Sequence, residues 1–251
     1  MYHVIGGYLG NSRTQILFWR TMALCLALLM AGSHARADAP DAVFEERVRA
    51  YILANPEVIL EALEILSTRE ARAAQTAQIA RHPDLFTDPT VLEFGPPDAD
   101  VTVVEFFDYR CAPCKALHPK LKTALEAHPN VRVVMRQLPI LSPGSERGAR
   151  FALAVNSIAG PENYRAVHDV LWTLKGPLRD HVFAQIAADH NLDWPAVQAE
   201  MNSDAVTQRI SRNRDIAIDL DILGTPAFVT PWSVSFGGTD AQALVDAWVS
   251  R

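Results

Sequence analysis

A near-continuous run of β-branched and aromatic residues, Val101-Thr102-Val103-Val104-Glu105-Phe106-Phe107, constrains this chain more than any other feature. A run of that composition without apolar–polar alternation describes a strand covered on both faces. Such a strand lies inside a sheet and needs packed elements above and below it. Pro113 to about Ala127 then reads as a helix, and Val131 to Arg136 as a second strand. The β–α–β order makes the two strands parallel neighbours joined by a right-handed crossover.

Helical periodicity dominates from about Ser145 to Ile222, divided by Pro161, Gly176-Pro177 and Asp193-Trp194-Pro195. Beyond Gly224-Thr225-Pro226 come two short strand candidates, Ala227–Thr230 and Ser233–Phe236, and Asp240 caps a last helix to Val249. A βαβ unit, a helical insertion and a ββα unit together make an α/β chain with a thioredoxin fold interrupted by a helical domain. The expected organisation places this domain at residues 83–251, with the insertion at about 139–222.

Two segments precede it. Residues 1–37 have the layout of a secretory signal peptide: Arg13 and Arg20, an apolar run from Met22 to Ala31, then Ala35-Arg36-Ala37. Arg20 interrupts the longer apolar stretch that a membrane anchor of about 20 residues would require. The segment before Arg13 is long for a signal, which leaves a later translation start open. Residues 38–82 read as a charged helical extension divided at Asn55-Pro56, Asn suiting an N-cap and Pro the first helical position. Ile59, Leu63 and Leu66 keep helical spacing, and Ala73, Ala77 and Ala80 continue in register. That narrow seam suits either a helix lying on the main domain or a self-association stalk, hence a homo-oligomer.

Charge and cysteine usage narrow the chemistry. The net charge is −6, and losing residues 1–37 removes three basic residues and no acid, giving −9. An acidic chain disfavours nucleic acid and anionic membranes as partners. Of three cysteines, Cys25 lies in the signal core, leaving Cys111-Ala112-Pro113-Cys114 at the junction of strand and helix. A single close pair in an exported chain points to chemistry rather than stapling. Helix amides and the helix dipole favour a thiolate at the first cysteine. The second, one turn on, can then resolve a mixed disulfide. A structural zinc site would need four ligands, and haem attachment a His where Lys115 stands. Two soft thiolates holding Cu(I), with His118 close in sequence, stay open as an alternative.

The segment Glu105-Phe106-Phe107-Asp108-Tyr109-Arg110-Cys111-Ala112-Pro113-Cys114-Lys115 resembles the active site of DsbA-family thiol oxidoreductases. Gly224-Thr225-Pro226-Ala227-Phe228 resembles their second signature, and Leu138-Pro139-Ile140-Leu141 the segment after their second strand. Asn55-Pro56-Glu57-Val58 in a helical extension is similar to the suppressor-of-copper-sensitivity protein C branch. The resemblance implies a periplasmic enzyme exchanging disulfides with exported proteins, with no cofactor beyond the redox-active Cys111–Cys114 pair. It also implies a membrane redox partner, and a cis Pro226 that presents the Thr225 backbone to a substrate strand.

Within the same frame Glu105, a lone acid in the buried strand, would have a raised pKa and relay the proton of Cys114. The plainer alternative is a Glu on the strand's solvent-facing edge. Asp108 is expected to cap the active-site helix or orient its approach loop, Lys115 to add positive potential near the thiolate, and His118 to pack. Two features depart from the family. Strongly oxidising members often carry Pro-His where Ala112-Pro113 stands, and Pro231 to Gly238 replaces the usual turn. The direction of electron flow therefore stays open, with isomerisation as one reading.

Overall fold

A computed structural model describes residues 42–88, 92–238 and 240–250. The signal segment and Cys25 lie outside the described residues. The chain divides into two compact units that part between Leu63 and Glu64.

The first unit contains α1 (Ala42–Ala54) and the opening turns of α2 (Glu57–Ile79). The break falls at Asn55-Pro56, as expected, but Asn55 plays a different part. Its side-chain amide donates to the Tyr51 carbonyl at 2.9 Å, closing the helix behind it. Its carbonyl accepts from Val58 N–H at 3.2 Å. Val43, Phe44, Val48, Tyr51, Leu53, Ile59, Leu60 and Leu63 are all exposed.

The second unit holds a five-stranded sheet in the order β1-β3-β2-β4-β5. The strands are β1 (Leu92–Phe94), β2 (Val101–Phe107), β3 (Val131–Gln137), β4 (Ala227–Thr230) and β5 (Ser233–Phe236). As predicted, β2 and β3 are parallel; the other pairs are antiparallel. Between β2 and β3 runs α3 (Ala112–Glu126). The insertion comprises α4 (Pro143–Thr173), α5 (Asp180–Asp189), α6 (Trp194–Glu200) and α7 (Asp204–Asp219), and α8 (Ala241–Val249) closes the unit.

The two-residue period of a strand sorts the β2 side chains between two cores. Val101, Val103 and Phe107 join the larger one with Leu117, Leu121, Phe151 and Val245. Val104 and Phe106 join a smaller one with Ile79, Leu85, Ile216 and Leu220. Glu105 shares parity with Val103 and Phe107, so it faces the side of the cysteine helix.

Two elements were not anticipated, and one expected break is confirmed in detail. The strand β1 sits in what reads as a Pro-rich connection, too short to show a period. The residue after it, Gly95, has φ 94°, and a Cβ there would stand 2.3 Å from the Val131 carbonyl oxygen, so only glycine fits. A further break separates α6 from α7, where Ser203 accepts the Val206 N–H at 3.2 Å as an N-cap. The expected break at Pro161 falls inside α4 at Gly160 (φ 80°), the residue just before it.

The C-terminal turns of α2 belong to the second unit. Ile79 is buried in the smaller core. Gln75 accepts from Val234 N–H at 3.1 Å, and Arg81 and His82 bind the Asp219 carboxylate at 3.0 and 2.7 Å. Ala73, Ala77 and Ala80 are exposed. The docked face runs through Gln75, Gln78 and Ile79, and the predicted alanine seam is not part of it.

Arg136 locks the same region from within β3. It is 1% exposed and donates to the Asp84 and Leu85 carbonyls and the Asn213 side chain at 2.7–3.3 Å. The Asp88 carboxylate lies 3.6 Å away. Removing the guanidinium strands these buried acceptors, so Arg136→Ala should lose on the order of 3 kcal/mol in urea unfolding. Wild-type stability in that variant would refute the lock.

Candidate active site

The polypeptide leaves β2 at Phe107, and α3 begins at Ala112, with Cys111 as its N-cap. The Cys111 backbone is extended there (φ −71°, ψ 113°), and its sulfur accepts the Cys114 N–H at 3.2 Å. Proline in the first turn has no N–H to satisfy. Both cysteines are free thiols, buried under the sheet end.

Across the sheet end, the Thr225–Pro226 bond is cis. The Cys111 thiol lies 3.2 Å from the Thr225 carbonyl oxygen, to which it donates when protonated. Segments 114 residues apart thus form one surface. The Thr225 hydroxyl has no hydrogen-bond partner among the described residues.

The two sulfurs are electrostatically unequal. Cys111 is pushed down from 9.0 to about 6, chiefly because the Cys114 thiol hydrogen-bonds its charged form. Burial opposes this, while the Cys114 N–H adds to it. Cys114 is pushed far above the usual thiol range by burial and by the proton it lends to Cys111. At neutral pH, Cys111 is the thiolate and Cys114 keeps its proton.

Glu105 is 1% exposed, which excludes the solvent-facing alternative. Neither carboxylate oxygen has a hydrogen-bond partner among the described residues. Burial, and then the nearby Cys111 charge, raise it from 4.5 to about 8. It is therefore an acid that keeps its proton well above the usual carboxylate range, on the cysteine side of β2.

Asp108 orients the approach loop and does not cap α3, since Cys111 takes that role. One carboxylate oxygen accepts from Arg110 N–H at 2.7 Å, and the other from Ile140 and Leu141 N–H at 3.0 and 3.1 Å. The segment after β3 is thereby tied to the cysteine loop. The Lys115 ammonium, expected beside the thiolate, donates instead to the Leu171 and Leu174 carbonyls at the end of α4.

His118 packs, as predicted. It stacks on Trp172 at 4.7 Å, and burial lowers it to about 4. His168 was not singled out in the sequence. It is fully buried, lies 2.8 Å from the Tyr109 hydroxyl, and accepts from the Trp172 indole at 2.7 Å. The available signal was the four-residue spacing of Tyr164, His168 and Trp172 on one helix face. Among the described residues, no group of three or more His, Cys, Asp or Glu side chains is placed to hold a metal.

Residues 102–248 match the family described as DSBA-like thioredoxin domain, and residues 42–73 match the Copper resistance protein ScsC N-terminal domain. Among curated relatives, a Na(+)/H(+) antiporter NhaA 1 of Salinispora arenicola is 30% identical over 62% of this chain and 24% of its own length. A thiol:disulfide interchange protein DsbA of Bordetella parapertussis is 26% identical over 51% of this chain and 62% of its own. The chain thus spans about a quarter of the antiporter and under two thirds of the DsbA protein. Among the described residues no helix is long and apolar enough to cross a membrane.

Solved structures are similar over more of their length. A thioredoxin-like oxidoreductase from Silicibacter pomeroyi shares 37% identity, with TM-score 0.60, over 66% of this chain and 94% of that one. A Proteus mirabilis ScsC variant shares 26% identity, with TM-score 0.61, over 85% and 97%.

The charge distribution can be read directly by titration. Thiolate absorbance of the reduced chain should rise through pH 6 and vanish in Cys111→Ser. A midpoint near 9 would contradict the geometry. Stability carries the opposite signatures of the two groups. The lowered Cys111 pKa adds stability that is full above pH 9 and is lost as pH falls through 6. The raised Glu105 pKa withdraws stability as pH rises from 4.5 to 8. Glu105→Gln should therefore gain up to about 3 kcal/mol over the parent at pH 8 and little at pH 4, measured by urea unfolding.

Proposed function

The chain belongs to the family of DSBA-like thioredoxin domains, and from that premise we propose a thiol–disulfide oxidoreductase that works on exported proteins through Cys111 and Cys114. The observation that carries this reading is the unequal pair: a thiolate at the N-cap of α3 beside a thiol that keeps its proton.

In the reducing direction, the Cys111 thiolate attacks one sulfur of a substrate disulfide. A mixed disulfide forms, and the other substrate sulfur leaves as thiolate. Glu105, as carboxylate, takes the Cys114 proton, directly or through water, and Cys114 then attacks the Cys111 sulfur. The Cys111–Cys114 disulfide forms, the second substrate sulfur leaves as thiolate, and two electrons have passed to the substrate. Oxidation of a substrate dithiol is the reverse sequence. Thr225 and the cis Pro226 offer a backbone edge beside the reacting sulfur, suited to pairing with an extended substrate strand. The redox-active disulfide is the only cofactor this cycle requires.

Periplasmic residence follows from the proposed signal peptide at residues 1–37, with a membrane redox partner returning the pair to its working state. Ala112-Pro113 places a proline before the second cysteine. This supports a potential between about −270 mV, typical of thioredoxin, and about −120 mV, typical of DsbA. An intermediate potential suits an isomerase, which must attack a wrong disulfide and hold the freed chain while it re-pairs.

Several active sites around one cleft favour isomerisation by raising effective concentration. The exposed Ile59, Leu60, Leu63 and Leu66 within the proposed extension, residues 38–82, support a homo-oligomeric stalk attached to the catalytic region at 83–251. A second reading, Cu(I) held by the same two thiolates, is favoured by the N-terminal match to a copper-resistance domain. Cu(I) affinity no better than that of a generic dithiol peptide would dismiss it.

Cys111→Ser should abolish insulin reduction and dithiol oxidation, whereas Cys114→Ser should accumulate mixed disulfides visible on non-reducing gels. Full turnover by the Cys111→Ser protein would sink the assignment. For assembly, light scattering of residues 38–251 should give a multiple of the chain mass, and residues 68–251 a monomer. The shorter cut spares Ile79, which the smaller core needs. The truncated form should retain dithiol chemistry but lose scrambled-disulfide isomerisation. A monomeric mass for residues 38–251 at tens of micromolar would refute the stalk.

A further inference from the structure

One cleft beside the cysteine loop has a charge opposite to that of the chain. It encloses about 560 Å³ and is lined by Arg110, Arg147 and Arg179, by the start of α4 at Ser142–Gly144, and by Leu178 and Asp180. Asp180 is the single acid in that wall, against three guanidinium groups, in a chain whose net charge is −6.

The cleft is built from held parts. Arg110, the residue before Cys111, donates to the Gly176 carbonyl at 2.9 Å, which fixes the loop 174–179 against the cysteine loop. Arg147 donates to the Leu178 carbonyl at 3.0 Å, pairs with Asp180, and lies 5.6 Å over the Phe183 ring. Asp108 holds the backbone of Ile140 and Leu141, immediately before the α4 start, on the other side. Arg179 is exposed at the mouth.

We propose that this cleft selects substrates, taking Asp or Glu side chains of the client polypeptide that flank the cysteine attacked by Cys111. The inference rests on the oxidoreductase reading and names a substrate class for it. Three arginines suit carboxylates, because the planar guanidinium matches the carboxylate fork. The amide end of a long helix in the same wall favours negative charge as well. Position supplies the second argument. Arg110 is adjacent in sequence to the reacting sulfur, and an extended client rises about 3.3 Å per residue. Acids a few residues from the attacked cysteine are therefore the ones within reach. Glycine loops and neutral segments would find no counterpart there.

The test uses two disulfide peptides identical except for Asp and Glu, or Asn and Gln, at the flanking positions. Each is mixed with the pre-reduced protein, and the second-order rate of exchange is measured by stopped flow. The acidic peptide should react about threefold faster per carboxylate at low salt, the size expected of exposed ion pairs, and the advantage should fade in concentrated salt. Arg179→Glu should abolish or invert the acidic-to-neutral ratio, and Arg179→Lys should retain most of it. The ratio is the readout because any change in Cys111 reactivity cancels from it. A wild-type ratio of one, or an unchanged ratio in Arg179→Glu, overturns the proposal while leaving disulfide exchange intact. Failure of both peptides to react would overturn the oxidoreductase reading and this inference with it.

Discussion

The structure depends on β2 being hydrogen-bonded along both edges, to β3 in parallel and to β4 antiparallel. A packed core also covers each of its faces, so the strand is apolar on both, and Val103, Val104, Phe106 and Phe107 are fully buried. Its C-terminal end is where the backbone turns into α3, so the most constrained segment of the chain delivers Cys111. The same enclosure keeps Glu105 out of water, opposite Met135 on one side and Phe228 on the other. A carboxylate in that position is costly unless it is protonated, so the fold raises its pKa simply by placing it there.

The division of labour between the cysteines follows from helix geometry. Cys114 is the third residue of α3 and lies about one turn from the N-cap Cys111, so a Cys-x-x-Cys pair folds its second amide and second thiol back onto the first sulfur. The Cys114 amide and thiol both converge on Cys111, while burial holds the proton on Cys114, and one thiol ionises at the other's expense. The Thr225 loop completes the site from the far end of the chain, joined through β4, whose pairing with β2 sets its height.

The helical insertion is more than a cap. Lys115 ties α3 to the carbonyls ending α4, Tyr109 meets His168 within it, and Arg110 reaches Gly176. These contacts tie the cysteine loop to the insertion, which supplies most of the basic wall beside that loop.

Much was legible along the chain because it depends on local rules. An apolar run, a proline in a first helical turn, a Cys-x-x-Cys spacing and turn residues at 224–226 each act within a few residues. They specified the α/β order, the parallel pair, the cysteine site and the interrupted insertion. What they left out depends on groups distant in sequence. The strand β1 exists only because β3 offers it an edge. Lys115 is drawn from the thiolate by two unpaired carbonyls 56 and 59 residues away, and Asp108 finds its amides 32 and 33 residues on. The α2 helix carries one continuous periodic pattern, yet its last turns are buried by Asp219 and the smaller core while its earlier apolar residues stay exposed. The sequence by itself determined which residues form the cysteine pair and the strand that carries it. Only the tertiary structure decided which charges surround that pair, because electrostatic partners are chosen by distance in space, and a helix pattern does not state which of its faces will meet another surface.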